Sequence, residues 1–411
     1  MDLAITASQR GDVILLAPGT YPGAVVPLDK PDITIRGEDR NTVIFDGEDR
    51  RPTAIRVAAD GVTIENLSAH DFTADGFAWD GADGFAGRYL TVWNVGRDGI
   101  ATRASTDGVI EDSYVSAAAG SGVAIEACEP CATTVRRVTA TLSAVGFSAL
   151  NTGEDLVVED SRFQLNGVGM LLGSFQIDLE PPPQHDAVLR RNEVVGSGTV
   201  VTPRISPWAG YHGVGIGIAG GQSNRIEDND VSGSARYGIA VFTAVDRTTS
   251  WYPARNQVTG NQVFESAIAD LAVAGGSGQA NCFADNAAAI ALPAGIAGTC
   301  ASFGTTDPRV EADLARAPHD LLAGMPEAPD YSSMTPPVAQ PTMPIALLQT
   351  PSPGVSVEPS PAASSPVLPA PSQIPAASSG ESVILAASVI ILALFCVVIL
   401  LVAFRVVPRR R

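Results

Sequence analysis

The chain has 411 residues with 26 basic and 44 acidic side chains, which gives a formal net charge of −18 at pH 7. So acidic a chain argues against nucleic acid as a partner, because binding to a phosphate backbone is driven by clusters of Lys and Arg.

The first 16 residues, MDLAITASQRGDVILL, contain no basic region followed by an apolar stretch, so they predict no signal peptide. A strand pattern begins almost at once, and we therefore expect no helix to cover the open edge of the first strand. Both absences would be explained by a start upstream of Met1. A tail-anchored protein that faces the cytoplasm is the alternative that the sequence leaves open.

One short pattern, a glycine followed by alternating apolar residues, then recurs along the chain at intervals of 23 or 24 residues, or twice 23. Its glycines are Gly76, Gly99, Gly122, Gly146, Gly169, Gly215 and Gly238, with weaker copies at Ile268 and Ile290. A second motif with a central Asn lies between them, as in RRNEV and EDNDV. Such a period indicates repeats that bury their apolar faces by stacking on one another. Because the repeats are rich in Val, Ile, Gly and Asn and lack helical periodicity, they predict an all-β parallel solenoid rather than leucine-rich repeats.

Residues 11–47, GDVILLAPGTYPGAVVPLDKPDITIRGEDRNTVIFDG, resemble the first coils of right-handed parallel β-helix proteins of the pectin-lyase-like superfamily. The later Gly-Ile and Asn motifs resemble the repeats of that family, as far as about residue 305. The resemblance implies a right-handed parallel β-helix over residues 1–317. It implies no single activity, because the same fold serves lyases, hydrolases, epimerases and adhesins. The catalytic signatures of these enzymes are incomplete here, with only fragments such as NTGED at 151–155 and GYHGVG at 210–215.

Charged residues follow the repeated strand in three successive coils, as Asp80, Arg103 and Glu126. Because side chains alternate along a strand, these residues point outward with the small residues two positions earlier, namely Ala78, Ala101 and Ala124. The three charges either neutralise one another on an exposed face or form a uronate-active site, in which they are the candidate catalytic residues. In such a site a Ca²⁺ ion would have four possible carboxylate ligands, Asp75, Asp80, Asp98 and Glu126.

Three insertions interrupt the regular coils, at 173–187, at 244–255 and in the stretch before Gly215. Long loops carry function more often than core strands do, and aromatic side chains on them would suit stacking on sugars. The predicted binding residues of this surface are His185, Trp208, Tyr211, Phe242, Trp251 and Tyr252. The alternative is that the insertions fold back and cover the coils.

Four of the five cysteines predict two disulfides, Cys128 with Cys131 and Cys282 with Cys300. The fifth, Cys396, lies in an apolar segment, and this distribution fits an oxidising compartment. A zinc site made from all four cysteines is excluded, because the six or so coils between the pairs, at roughly 4.8 Å each, hold them too far apart.

The composition changes after residue 317. Residues 318–380 contain 15 of the 30 prolines and predict a disordered linker rich in Pro, Ser and Ala. Residues 381–404 predict a transmembrane helix, since the run from Val383 to Phe404 carries no charge and is long enough to cross roughly 30 Å of hydrocarbon. The basic tail 405–411 favours a cytoplasmic C-terminus, which predicts a single-pass protein of the cell membrane with an extracytoplasmic β-helix.

Two functions are consistent with these features. The first is a membrane-anchored module that binds glycans or adheres at the cell surface, with a polysaccharide or cell-envelope glycan as its partner. The alternative is a polysaccharide lyase or another uronate-active enzyme that uses Arg103, Asp80 and Glu126. No cofactor is certain, and Ca²⁺ is the ion that the acidic residues would suit.

Overall fold

A computed structural model describes residues 1–176, 183–246, 249–274, 280–298, 300, 306–323 and 325–344. These residues form a parallel β-helix, in which successive coils place their strands side by side in three ladders. The first ladder contains β1 (Val13–Leu16), β4 (Thr34–Gly37), β7 (Thr63–Phe72), β9 (Ala86–Val95), β11 (Val109–Glu111), β14 (Thr133–Arg136), β17 (Leu156–Glu159), β20 (Val188–Arg190), β23 (Arg225–Glu227), β28 (Gln257–Thr259) and β31 (Cys282–Ala284). The all-β solenoid predicted from the repeats is confirmed.

The second ladder shares the long strands β7 and β9 with the first. Its other strands are β2 (Gly19–Tyr21), β5 (Val43–Asp46), β12 (Tyr114–Ala118), β15 (Thr139–Thr141), β18 (Arg162–Gln164), β21 (Glu193–Val195), β24 (Asp230–Ser232), β29 (Gln262–Phe264) and β32 (Ala287–Ala288). The third ladder contains β3 (Ala24–Val26), β6 (Ile55–Val57), β8 (Phe77–Asp80), β10 (Ile100–Arg103), β13 (Ser121–Glu126), β16 (Val145–Leu150), β19 (Val168–Gly173), β22 (Val214–Ala219), β25 (Tyr237–Phe242), β30 (Ala269–Val273) and β33 (Ala291–Leu292). A separate antiparallel hairpin joins β26 (Ala244–Asp246) to β27 (Thr249–Trp251).

The repeated glycine pattern forms the third ladder. Alternate residues of its strands, such as Phe77, Trp79 and Ile100, are fully buried inside the solenoid, as their position after the glycine predicts. A Cβ built at Gly99 would lie 2.7 Å from the carbonyl oxygen of Gly122 one coil further on. The pattern therefore begins with glycine because successive coils approach too closely there for a side chain.

The asparagine motif forms buried ladders in the turns between strands. Asn229 donates from Nδ2 to the carbonyl oxygen of Leu189 and to Oδ1 of Asn261, and its own Oδ1 accepts the backbone N–H of Asn192. A parallel row runs through Asn224, Asn256 and Asn281. Each amide thus satisfies backbone groups that the turns leave without partners in the strand ladders.

A short helix precedes the first strand, which corrects the expectation that the first coil begins uncapped. Helix α1 (Asp2–Ala7) packs against β3 and buries Ile5 in the core. Lys30 donates from Nζ to the carbonyl oxygens of Thr6 and Ser8, at 2.7 and 2.9 Å, and so satisfies acceptors at the end of the helix.

Described residues of 318–344, a segment that the sequence predicts to be part of a disordered linker, have defined structure and contact the β-helix. Helix α3 (Pro318–Leu321) packs against the 3₁₀ helix Pro207–Tyr211. Residues 325–344, which we call the strap and which include the 3₁₀ helix Tyr331–Ser333, bond to side chains of the early coils. Buried Arg40 donates to the carbonyl oxygen of Pro341 at 3.0 Å, while Asn41 exchanges two hydrogen bonds with the backbone of Gln340.

The outer face of the later third ladder is covered and apolar, not an open floor. Leu171, Ala240 and Phe242 are buried there against the insertion before Gly215 and against helix α2 (Pro308–Leu314). An ion pair of 2.5 Å from Arg236 to Asp313 holds α2 in place. The 3₁₀ helix Ile296–Gly298 packs beside β31 and β33.

Both predicted disulfides are present, Cys128–Cys131 and Cys282–Cys300. Across the described part of the chain, no helix combines the length and the apolar character needed to span a membrane. The predicted transmembrane helix at 381–404, the basic tail at 405–411 and the linker beyond residue 344 lie outside the described residues.

Candidate functional site

The three charged residues of the third ladder lie side by side, as the repeat spacing predicts. The register pairs Arg103 at the end of β10 with Asp80 of β8 on one side and with Glu126 of β13 on the other. The alanines two positions earlier, Ala78, Ala101 and Ala124, pack together as a buried row on the outer face.

Arg103 lies at the centre of a group of carboxylates, which we call the Arg103 cluster: Asp75, Asp80, Asp98, Arg103 and Glu126. Its guanidinium bonds to Asp98 at 2.7 Å, to Asp75 and Glu126 at 3.2 Å each, and lies 3.7 Å from Asp80. Asp98 lies in the turn before β10, five residues before Arg103, so this contact brings the Arg103 side chain back toward the start of its strand. Arg103 is only 13% exposed.

Two further arginines pair with the cluster. Arg97 donates to Asp75 from Nε at 2.8 Å and from Nη2, and is 49% exposed. Arg56 donates to Asp80 at 2.6 Å. The four carboxylates are therefore opposed by three guanidinium groups, and the cluster is more crowded than the ladder of three charges that the sequence suggested.

The carboxyl groups of the cluster have pKa values shifted in opposite directions. Burial, together with the negative charges of Asp75 and Glu126, raises the pKa of Asp98 to about 7. Burial also raises the pKa of Glu126, against the opposing charge of Arg103. At Asp75 the effect of burial is outweighed by hydrogen bonds and charges from Arg97 and Arg103, which hold its pKa below the usual value. Asp98 is thus a carboxylic acid that can hold its proton near neutral pH.

The cluster determines the charge of Arg103 and the direction of the carboxylate oxygens. Burial lowers the pKa of Arg103, but the charges of Asp75, Asp98 and Glu126 outweigh that effect and raise it, so the guanidinium stays protonated. The proposed Ca²⁺ ligands Asp75, Asp80, Asp98 and Glu126 each pair with an arginine, so their oxygens are directed to guanidinium groups.

A cavity of about 210 Å³ adjoins the cluster, and we call it the Trp208 cavity. Polar groups of Arg97, Asp98 and Glu126 line one side, and the insertion before Gly215 forms the other. The insertion is fixed there because Ile205 N–H donates to the carbonyl oxygen of Ala119 at 2.8 Å. The complete lining is Arg97, Asp98, Gly120, Ser121, Glu126, Ile205, Ser206, Pro207 and Trp208.

A row of aromatic rings supports Trp208. Its ring centroid lies 4.0 Å from that of Phe175, which lies 6.5 Å from Tyr211, and Tyr211 lies 4.8 Å from Phe242. Phe175, Tyr211 and Phe242 are fully buried, whereas Trp208 is half-buried and reaches the cavity. The Trp208 ring is therefore held in one orientation before any ligand arrives.

The other predicted binding residues do not reach this cavity. The prediction that Tyr211 and Phe242 lie on a binding surface is wrong, because both side chains are buried in the apolar cover. Trp251 packs partly against the same cover, and Tyr252 is 52% exposed. His185 bonds to Glu129 at 2.9 Å through Nε2 and to Asp186 at 2.8 Å through Nδ1, apart from the lining of the Trp208 cavity.

Sequence reasoning missed Arg97 and the backbone of residues 205–207. Arg97 stands two residues before its glycine, a position that the repeat pattern leaves in a turn, and only its contact with Asp75 shows its place. Residues 205–207 belong to an insertion with no period, so no spacing rule connects them to Glu126.

A comparison with protein families matches part of the solenoid. Residues 30–163 match the Beta_helix family, described as a right-handed beta helix region. No curated protein matches the chain.

Similar solved structures include an alginate lyase from a Paenibacillus species, with 18% identity, coverage of 74% of this chain and 95% of that one, and a TM-score of 0.44. The A-module of the mannuronan C-5 epimerase AlgE6 from Azotobacter vinelandii has 14% identity, coverage of 74% and 90%, and a TM-score of 0.43. The catalytic domain of a GH87 alpha-1,3-glucanase in complex with nigerose has 14% identity, coverage of 62% and 60%, and a TM-score of 0.41. The three parallel ladders show that the described chain is a parallel β-helix, and residues 30–163 of it are similar to a right-handed beta helix region.

Proposed function

We propose that this chain binds a polysaccharide and that one sugar unit of it occupies the Trp208 cavity. The observation that carries the proposal is the pairing of a half-buried tryptophan with charged and hydroxyl groups around about 210 Å³ of space. Sugar rings present apolar faces and polar edges, so a site for them combines an aromatic surface with convergent hydrogen-bonding groups.

The polar side of the cavity can both donate and accept hydrogen bonds. Arg97 uses Nε and Nη2 for Asp75, which leaves the N–H groups of Nη1 for a ligand. Asp98 and Glu126 offer carboxyl oxygens, and the raised pKa of Asp98 adds an O–H donor near neutral pH. This mixed set suits hydroxyl groups, which donate and accept in turn.

Binding assays with paired variants test the proposal on the full chain. Alginate and an α-1,3-glucan, the glycans named for the compared enzymes, serve as acidic and neutral probes. Trp208→Ala should weaken the affinity for the bound probe at least tenfold, about 1.4 kcal/mol, because the stacking surface is lost. Tyr252→Ala removes an exposed aromatic ring outside the cavity and should leave the affinity within about twofold of the parent value. Failure of the parent chain to bind either glycan, or equal binding by the Trp208→Ala variant, would reject this function.

We further propose that the β-helix is displayed outside the cell from a membrane anchor at 381–404. The uncharged run from Val383 to Phe404 and the arginines after it support this placement, as do the two disulfides. Protease added to intact cells should digest the β-helix and leave the basic tail protected. Protection of the β-helix until the cells are broken would instead place it in the cytoplasm.

An acid-catalysed glycan-cleaving enzyme is the second candidate, and the shifted pKa of Asp98 favours it. Asp98 and Glu126 line the same cavity, so a protonated Asp98 could donate to a glycosidic oxygen beside a second carboxyl group. Cleavage would then slow as the pH rises through about 7, where Asp98 loses its proton. Release of reducing ends and absorbance of unsaturated uronates would be measured on both glycans. If the Asp98→Asn variant forms product as fast as the parent chain, this mechanism is excluded. If the parent chain binds the glycans but forms no product, only the binding function remains.

A further inference from the structure

Three side chains with metal-binding atoms meet on the second ladder, away from the Trp208 cavity. Asp46 ends β5, and His70 and Asp71 lie near the end of β7, where the register pairs Asp46 with His70. One nitrogen of His70 and one oxygen of each carboxylate lie within 4.8 Å of one another. Among the described residues, no other group of three or more His, Cys, Asp or Glu side chains brings its possible ligand atoms this close together.

The imidazole of His70 is held in place from two sides. Its ring stacks on Trp93 of the next coil, with centroids 4.5 Å apart and planes 17° from parallel. Its Nδ1 lies 2.8 Å from Oδ2 of Asp71. A histidine whose ring orientation is fixed before binding loses little entropy when it takes up a metal ion.

Two buried oxygens beside this group have no hydrogen-bond donor among the described residues. They are Oδ1 of Asp71 and Oδ1 of Asn94. Asn94 follows Trp93 as Asp71 follows His70, so the two side chains occupy the same position in neighbouring coils. The amide of Asn94 cannot turn to satisfy its oxygen, because Nδ2 already donates to the carbonyl oxygens of Ser332 and Met334 in the strap. A buried acceptor without a donor is unfavourable, and a cation bound by Asp46, His70 and Asp71 would give the Asp71 carboxylate a partner.

The surrounding charge is negative. Asp49 lies against Asp71, to whose carbonyl oxygen its backbone N–H donates at 2.9 Å, and it adds a further acidic side chain next to the group. Arg51 donates to the backbone oxygen of Asp46 at 3.2 Å and pairs with Glu48 at 3.1 Å, so it does not occupy the carboxylate of Asp46. Oδ1 of that carboxylate accepts the backbone N–H of Glu48 at 2.8 Å. The local field therefore attracts a cation.

We propose that Asp46, His70 and Asp71 bind a divalent metal ion of the zinc class. The imidazole decides the class, because Ca²⁺ and Mg²⁺ take oxygen ligands, whereas Zn²⁺ accepts histidine nitrogen together with carboxylate oxygen. The proposal concerns a different face of the solenoid from the Trp208 cavity and does not depend on glycan binding.

The test measures Zn²⁺ binding to the full chain after treatment with a chelator. Equilibrium dialysis followed by elemental analysis should find one Zn²⁺ per chain, and Ca²⁺ should not compete at equal concentration. His70→Gln and Asp71→Asn should each weaken Zn²⁺ binding at least tenfold. Asp71→Asn keeps a residue type that tolerates the left-handed backbone of this position, with φ of 54°, so it preserves the fold.

His185→Gln is the matched control. His185 also contacts two carboxylates, at 2.8 and 2.9 Å, but they lie on opposite ring nitrogens and cannot converge on one ion. This variant should bind Zn²⁺ as the parent does. If the parent chain binds no Zn²⁺, or if His70→Gln and Asp71→Asn bind it as tightly as the parent, the proposed site does not exist.

Discussion

At the scale of single residues, the Arg103 cluster shows how position decides the chemistry of identical side chains. Asp75 and Asp98 stand one residue before the glycine in successive coils, and both are buried. Asp75 bonds to two arginines, whereas Asp98 shares Arg103 with the carboxylates on either side. The pKa of Asp75 is consequently lowered and that of Asp98 is raised.

The raised pKa of Asp98 predicts how stability depends on pH. Between pH 4 and pH 7 the folded chain holds a proton on Asp98 that the unfolded chain, with a pKa of about 3.9, has released. The free energy of unfolding should therefore fall as the pH rises, by at most about 1.4 kcal/mol per pH unit from this group. Asp98→Asn should remove this part of the slope in urea unfolding of the full chain.

Asp160→Asn provides the control for that measurement. The hydrogen bond from Arg191 lowers the pKa of Asp160. The contribution of Asp160 to the free energy of unfolding is therefore lost only as the pH falls through and below the usual aspartate range. Its slope between pH 4 and pH 7 should match that of the parent. Parallel curves for the parent and Asp98→Asn would show that Asp98 is ionised throughout.

At the scale of elements, buried asparagines connect each coil to the next. Asn192, Asn229 and Asn261 bond to one another across successive coils and also to backbone groups of the turns. A turn in a solenoid has no neighbouring strand for its N–H and C=O groups, and the amide side chain supplies those partners.

Asn229→Ala should lower the free energy of unfolding by about 3 kcal/mol. The change leaves the N–H of Asn192 and the carbonyl oxygen of Leu189 buried without their partner, at about 1–3 kcal/mol for each group. Gln262→Ala removes an exposed amide beside Asn261 and should change the free energy of unfolding by less than about 0.5 kcal/mol. The measurement is urea unfolding followed by circular dichroism, and equal losses in the two variants would contradict a role for the ladder.

At the scale of the whole solenoid, each coil contacts mainly its two neighbours, so the coils at either end have fewer partners than the rest. Helix α1 covers the first coil, and the disulfide Cys282–Cys300 joins β31, the last described strand of the first ladder, to the segment after β33. Both features reinforce places where stacking alone gives less stability.

Loss of the second disulfide should therefore loosen the late coils. Cys282→Ser with Cys300→Ser frees a loop of 18 residues in the unfolded chain and should cost about 3 kcal/mol. Cys128→Ser with Cys131→Ser frees a much shorter loop and should lower the free energy of unfolding by about half as much. Hydrogen exchange over residues 257–292 reports the change, and exchange equal to that of the parent would argue against a stabilising role.

The repeat spacing is enough to predict the β-helix, the faces of its strands and the order of Asp80, Arg103 and Glu126. A 23-residue period repeats the same local choices, and each coil needs only its neighbour to complete them, so spacing is enough to predict register. The alternation of inward and outward residues follows from the same period and strand geometry.

What covers those faces cannot be predicted from the spacing and is visible only in the folded chain. The insertion with Trp208, helix α2 and the strap have no period, and they dock through contacts with residues far away in the chain, as Arg40 does with Pro341. Their docking buries Tyr211 and Phe242 and leaves Trp208 beside Arg97. Such contacts depend on shape and burial across distant segments, and a spacing rule carries no information about either.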